Sequence, residues 1–150
     1  MTEVLFYHLQ DTTLEKVLPP LLEKSLERGW RVAVQTGSEE RVEALDAHLW
    51  TYRDDSFLPH GTWRDGDAAD QPVVLVMNEA NPNQANVRFV VDTAGLPEDS
   101  ATYDRVVLVF NGEDDEALTV ARAAWTDSKS RGFERTYWQT DERGRWQRRD

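Results

Sequence analysis

Three histidines, a run of four carboxylates and six tryptophans are the side chains in this sequence that chemistry would draw on. His8, His48 and His60 stand far apart, without the i, i+4 spacing that sets two imidazoles on one helical face for a metal. No Gly-x-Ser-x-Gly elbow or other nucleophile context accompanies them. The pattern assigns them to packing and surface positions. The carboxylate run is Glu113, Asp114, Asp115 and Glu116. Oxygen ligands of this kind suit a magnesium ion, but acidic residues ahead of an amphipathic segment also cap a helix and complement its positive end, and that second role is assigned here. The same carboxylates repel a phosphate from the helix start. The turns that follow apolar runs read Asp11-Thr12-Thr13, Thr36-Gly37-Ser38 and Asn111-Gly112-Glu113, and none holds the glycine-rich pattern that cradles nucleotide phosphates. The residues therefore predict no cofactor, no metal and no intrinsic enzymatic activity.

Aromatic residues carry the remaining signal. Leu49-Trp50, Phe57-Leu58-Pro59-His60 and Trp63 gather around a polar stretch, while Trp125 shares a helical face with Arg122 and Lys129 at three- and four-residue steps. Aromatic anchors ringed by charge are what protein interfaces use. Trp50, Phe57 and Leu58 are predicted to form an exposed apolar patch, because the Asp and Gly residues around them offer little cover. The formal net charge of −11 opposes direct contact with nucleic acid. That charge is uneven: from Ala121 onward eight Lys and Arg face five Asp and Glu, a balance of +3, whereas residues 1–120 balance at −14. The basic end is where an acidic partner would dock. With no cysteine, no basic stretch ahead of an apolar run at the N-terminus, and no apolar run of membrane-spanning length, a cytoplasmic chain without membrane contact is expected.

The elements that must position these residues alternate between strand and helix patterns, the signature of βαβ units around a mostly parallel sheet. Val4 to Tyr7 reads as the first strand. Thr12 and Glu15 have capping-box spacing, and Leu14, Val17, Leu18, Leu21, Leu22 and Leu26 then define one helical face. Pro19 and Pro20 predict a kink or restart, and Gly29 the helix end. Trp30 to Gln35 is a second strand, and Ser38 caps a helix carrying Val42, Leu45 and Leu49. Residues 51–72 read as a long surface loop. Strands follow at 73–77, 87–91 and 105–110, then a helix from Asp114 or Asp115 to Gly132. A hairpin closes the chain within 134–150, turning at Asp141-Glu142-Arg143-Gly144. The expectation is a single three-layer, Rossmann-like α/β domain over residues 1–150.

Val4-Leu5-Phe6-Tyr7-His8-Leu9, Gly29-Trp30-Arg31-Val32, Leu45-Asp46-x-x-Leu49-Trp50 and Ser56-Phe57-Leu58-Pro59-His60, taken in this order and spacing, resemble the chi subunit family of bacterial DNA polymerase III, a clamp-loader accessory subunit. Arg105-Val106-Val107, the acidic helix start and Gly132-Phe133 extend the likeness over nearly the whole chain. The resemblance implies a non-catalytic adaptor with two contact surfaces. Trp50, Phe57, Leu58, Pro59 and His60 would meet the psi subunit or other clamp-loader subunits. Phe110, Asn111, Arg122, Trp125, Thr126 and Lys129 would receive the acidic C-terminal tail of single-stranded DNA-binding protein. Better-known members carry a tyrosine at the position of Trp125 and a lysine at that of Thr126. Two other classes share the βα alternation, a receiver-like signalling domain and a small α/β enzyme with an unrecognised site. A receiver needs an acidic pair at the end of the first strand, where this chain has His8-Leu9-Gln10.

Overall fold

The structure is a computed structural model that describes residues 2–52, 58–78, 80–92 and 95–149. Its strands are β1 (Glu3–Leu9), β2 (Val32–Gln35), β3 (Gly61–Thr62), β4 (Val73–Val76), β5 (Val87–Val90), β6 (Arg105–Asn111), β7 (Glu134–Thr140) and β8 (Trp146–Arg148), and its helices α1 (Leu14–Glu27), α2 (Glu39–Thr51) and α3 (Asp115–Ser130). The strands form one sheet in the order β3-β4-β2-β5-β6-β1-β7-β8. All neighbours pair in parallel except β8, which lies antiparallel on β7 as the returning arm of the terminal hairpin.

Strand alternation splits the core into two layers. Leu5 and Leu9 of β1, with Val34, Phe89 and Val107, face Leu18 and Leu22 of α1 and Val42, Leu45 and Leu49 of α2. Val4 and Phe6, with Val106 and Leu108, face Ala117, Ala121 and Ala124 of α3. The small side chains on α3 let it lie close to the sheet, so its larger residues stand at the margins of the contact. The result is the three-layer α/β domain that the residue pattern predicts, with a Rossmann-like sheet.

Local chemistry sets the helix ends. Ser38 Oγ accepts the Arg41 amide, and Asp114 Oδ1 accepts the amides of Glu116 and Ala117. Gly29 and Gly132 adopt φ of 79° and 77°, and the amides of Trp30 and Phe133 return to the carbonyls of Ser25 and Ser128. Both helices thus close on a glycine in the left-handed region. Three expectations need correction. The cap of α1 is Thr13, not Thr12, and its side chain makes no capping bond, because the chain turns at Asp11 (φ 57°) and the helix starts a residue later than the box requires. Pro19 and Pro20 lie inside an unbroken α1. The amide that Pro19 lacks would have bonded the Glu15 carbonyl, and His48 of α2 reaches that oxygen at 2.6 Å instead. Finally, the stretch read as a surface loop adds the edge strand β3 to the sheet and places Leu58 in the core.

Candidate functional site

Parallel pairing of β7 on β1 sets Phe6 opposite Tyr137 and His8 opposite Gln139, so Phe6, His8 and Tyr137 share the α3 face. Trp125 packs edge-on against Phe6 at 5.2 Å and Tyr137 at 5.8 Å between ring centroids. Phe110 completes the cluster, 5.3 Å from His8 and 6.1 Å from Tyr137. Above it opens a pocket of about 500 Å³ lined by His8, Leu118, Arg122, Trp125, Thr126 and Tyr137, with Ala121 at its base. The walls are aromatic, and the Arg122 guanidinium supplies charge at the exposed rim.

Electrostatics follow from this burial. His8 Nδ1 lies 2.7 Å from the Tyr137 hydroxyl. Desolvation pulls the His8 pKa below the ordinary imidazole value. Desolvation also raises the Tyr137 pKa, partly offset by the positive charge of Arg122. His8 fits only because residue 112 is glycine: a Cβ there would stand 1.9 Å from His8 Nε2. Arg135 lies over the Trp125 ring at 4.0 Å and donates to the Trp125 carbonyl at 3.0 Å, which fixes the indole wall.

Of the residues predicted for this surface, Arg122, Trp125 and Thr126 line the pocket. Phe110 is buried beneath it. Lys129 lies one turn along α3, exposed and outside the lining. Asn111 points elsewhere: its Oδ1 accepts the Glu113 amide and it lines a different cleft. His8 and Tyr137 were missed. The alternation within each strand puts them on a definite face, but the pairing of β1 with β7, more than 120 residues apart, is what brings them together.

The loop block needs a larger correction. Phe57 lies outside the described residues. Leu58 is 2% exposed and His60 4% exposed, whereas Trp50 is 51% exposed and Pro59 half-buried. Leu58 fills the core beside α2, and His60 ties the loop down, with Nε2 2.9 Å from Asp46 Oδ1 and Nδ1 2.7 Å from the Leu58 carbonyl. The Trp50 ring rests on the imidazole at 4.6 Å. The outward surface is therefore Trp50 and Pro59, and Leu58 and His60 support it from below.

At the carboxyl ends of β1, β5 and β6, where open α/β sheets hold ligands, a cleft of about 330 Å³ is lined by Glu15, Asp92 and Asp114 with Arg41 among them. Arg41 Nε lies 3.2 Å from Asp92 Oδ1 and Nη1 3.6 Å from Glu15 Oε1. Its one cation is thus engaged internally, and Asp114 is spent on the helix cap. No cluster of three or more metal-ligating side chains occurs among the described residues. No helix among them is long and apolar enough to cross a membrane.

Fold and site together define a three-layer, Rossmann-like α/β domain whose switch-point cleft is lined by internal ion pairs of Arg41 and whose aromatic pocket lies across the sheet, under α3. Residues 1–136 match the model of the family described as DNA polymerase III chi subunit, HolC, and the chain belongs to that family. A protein of Rickettsia prowazekii (strain Madrid E) described as a probable DNA polymerase III subunit chi is 30% identical over 96 residues, 64% of this chain and 58% of the relative. The C-terminal domain of the DEAD-box protein Dbp5 superposes with a TM-score of 0.58 over 93% of this chain and 91% of that one. At 15% identity, that likeness concerns the fold alone.

Proposed function

We propose that this chain is a non-catalytic adaptor of the DNA polymerase III clamp loader that receives the acidic C-terminal tail of single-stranded DNA-binding protein in the Arg122–Trp125 pocket, in the cytoplasm and without direct contact to nucleic acid. The observation that carries the reading is the pocket itself: aromatic walls from Trp125 and Tyr137 with a guanidinium at the mouth, on a chain whose net charge is −11. A peptide ending in a bulky apolar residue and a free carboxylate needs that combination, an apolar slot with a cation at its rim. Among the described residues Arg122 forms no ion pair, so its donors are available to such a carboxylate. Lys129 and Arg135 meet the upstream acidic residues at longer range. The second contact, to the psi subunit or another clamp-loader subunit, is assigned to Trp50 and Pro59 on their support of Leu58 and His60.

Titration of the acidic tail peptide against the wild type and Arg122→Glu tests the assignment. Loss of one partner in a buried, hydrogen-bonded charge pair costs about 2–5 kcal/mol, and the exposure of Arg122 puts this case at the lower end, roughly 30-fold in affinity. Thermal melts control for folding. Equal affinity in a folded variant rejects the site, and no binding to the wild type rejects the function.

A further inference from the structure

The opposite face of the same strands carries a second aromatic cleft, unrelated to the pocket under α3. Tyr7 and Trp138 are cross-strand neighbours on β1 and β7, on the face turned toward α1, and Trp146 of β8 packs on Tyr7 with ring centroids 4.6 Å apart. Trp138 Nε1 donates to Thr136 Oγ1 at 3.1 Å, which orients the indole. The last turn of α1 and Trp30 form the other bank. Between them lies a cleft of about 270 Å³. Three cations line it: Lys24, Arg28 and Arg105. The guanidiniums of Arg28 and Arg105 both lie against the Trp30 ring, at 5.0 and 4.8 Å from its centroid. Arg105 is neutralised by Glu3 at 2.8 Å. Lys24 and Arg28 are exposed and have no carboxylate partner among the described residues.

The polar groups of this lining restrict its occupant. They are ammonium, guanidinium, indole N–H and hydroxyl, with no carboxylate, side-chain amide or imidazole. A nucleobase presents donors and acceptors together on its edge and calls for acceptors in the site; the side chains of this cleft offer hydroxyl oxygens alone. The chain's net charge of −11 also opposes a long polyanion. An aromatic or aliphatic body flanked by carboxylates meets every group present, the body against four aromatic rings and the carboxylates against Lys24 and Arg28. The volume lies below the roughly 300–1,000 Å³ of a pocket for a cofactor-sized molecule and suits a single inserted side chain.

We infer that this cleft is a docking site for an acidic protein segment that inserts one aromatic residue between Tyr7, Trp30, Trp138 and Trp146, with its flanking carboxylates held by Lys24 and Arg28. The inference stands whether or not the α3 pocket takes a tail. The probe is the pentapeptide Asp-Asp-Phe-Asp-Asp, acetylated and amidated so that it lacks the terminal carboxylate the other pocket would select. It is titrated into the full chain carrying Arg122→Glu, and the tryptophan indole N–H signals are followed by proton–nitrogen correlation spectra, each assigned by Trp→Phe substitution. The signals of Trp30, Trp138 and Trp146 are expected to move while that of Trp125 stays. Arg28→Glu, on an exposed position that leaves the core intact, weakens binding at least tenfold, Lys24→Glu acts in the same direction, and replacing Phe in the peptide by Ala abolishes the shifts. Indole signals unmoved at millimolar peptide, or equal affinity in Arg28→Glu, overturn the proposal. Tighter binding of an eight-residue oligothymidine at the same indoles also overturns it and assigns the cleft to single-stranded nucleic acid.

Discussion

Removing the His48 ring tests how α1 tolerates two prolines. Pro19 takes away the amide that would close on the Glu15 carbonyl, and His48 Nε2 at 2.6 Å is the substitute donor, supplied from α2. His48→Ala leaves that carbonyl without its partner. An unsatisfied buried acceptor costs about 1–3 kcal/mol, and since this contact is only partly buried, water recovers some of the loss and about 1–2 kcal/mol is expected. For a chain of this size that is a fall in Tm of roughly 2–8 °C. The structure predicts more than a loss, because it names the compensating change. Pro19→Ala restores a backbone N–H one turn after Glu15, so the carbonyl no longer needs the imidazole. In a Pro19→Ala background, His48→Ala is therefore expected to cost about 1 kcal/mol less than in the wild type. The assay is urea unfolding of the four members of the cycle, which cancels the packing that Pro19 loses and the contact between His48 and Tyr52, since each appears on both sides. Additive effects within about 0.3 kcal/mol would refute the exchange of donors.

Three further outcomes follow from the same geometry. His8 has a folded-state pKa below its ordinary value of 6.5 through desolvation, so the unfolded chain binds the proton first; stability is complete above about pH 6.5 and falls as pH drops toward the folded pKa. Melts between pH 7.5 and 5.5 should show this loss reduced in His8→Gln, and parallel profiles for the two proteins would contradict it. Gly112→Ala drives a Cβ into the His8 ring, which Tyr137 holds in place; overpacking of this kind costs about 1–3 kcal/mol, and full stability with unchanged tail binding would show that the ring is free to move. Arg88 is wholly buried in β5 and donates to Gln35 Oε1 at 3.0 Å, the Ala80 carbonyl at 2.9 Å, the Tyr103 hydroxyl at 3.0 Å and the Asn78 carbonyl. Arg88→Leu strands these groups and is expected to lose about 2–5 kcal/mol in urea unfolding; a neutral result would show that the strand repacks around leucine.

The amino-acid sequence alone determined the order of the elements apart from β3, the cap at Ser38, an acidic start to α3 at Asp114 or Asp115, the glycine closures at Gly29 and Gly132, the terminal hairpin and the family. These depend on interactions within a few residues, and local periodicity records them: two for a strand, 3.6 for a helix. It also placed Arg122, Trp125 and Thr126 along one stretch of α3, because one helical turn separates them. Tertiary structure alone decided the rest. His8 and Tyr137 meet through the β1–β7 register, and no local pattern in either strand encodes that register. Leu58 and His60 look like exposed loop residues in a polar stretch, yet the gap beside α2 accepts one and Asp46 holds the other. Pro19 reads as a helix breaker until a histidine 29 residues away supplies the missing donor. In each case the deciding partner is distant in sequence, and only the assembled sheet and its helices set the distance between them.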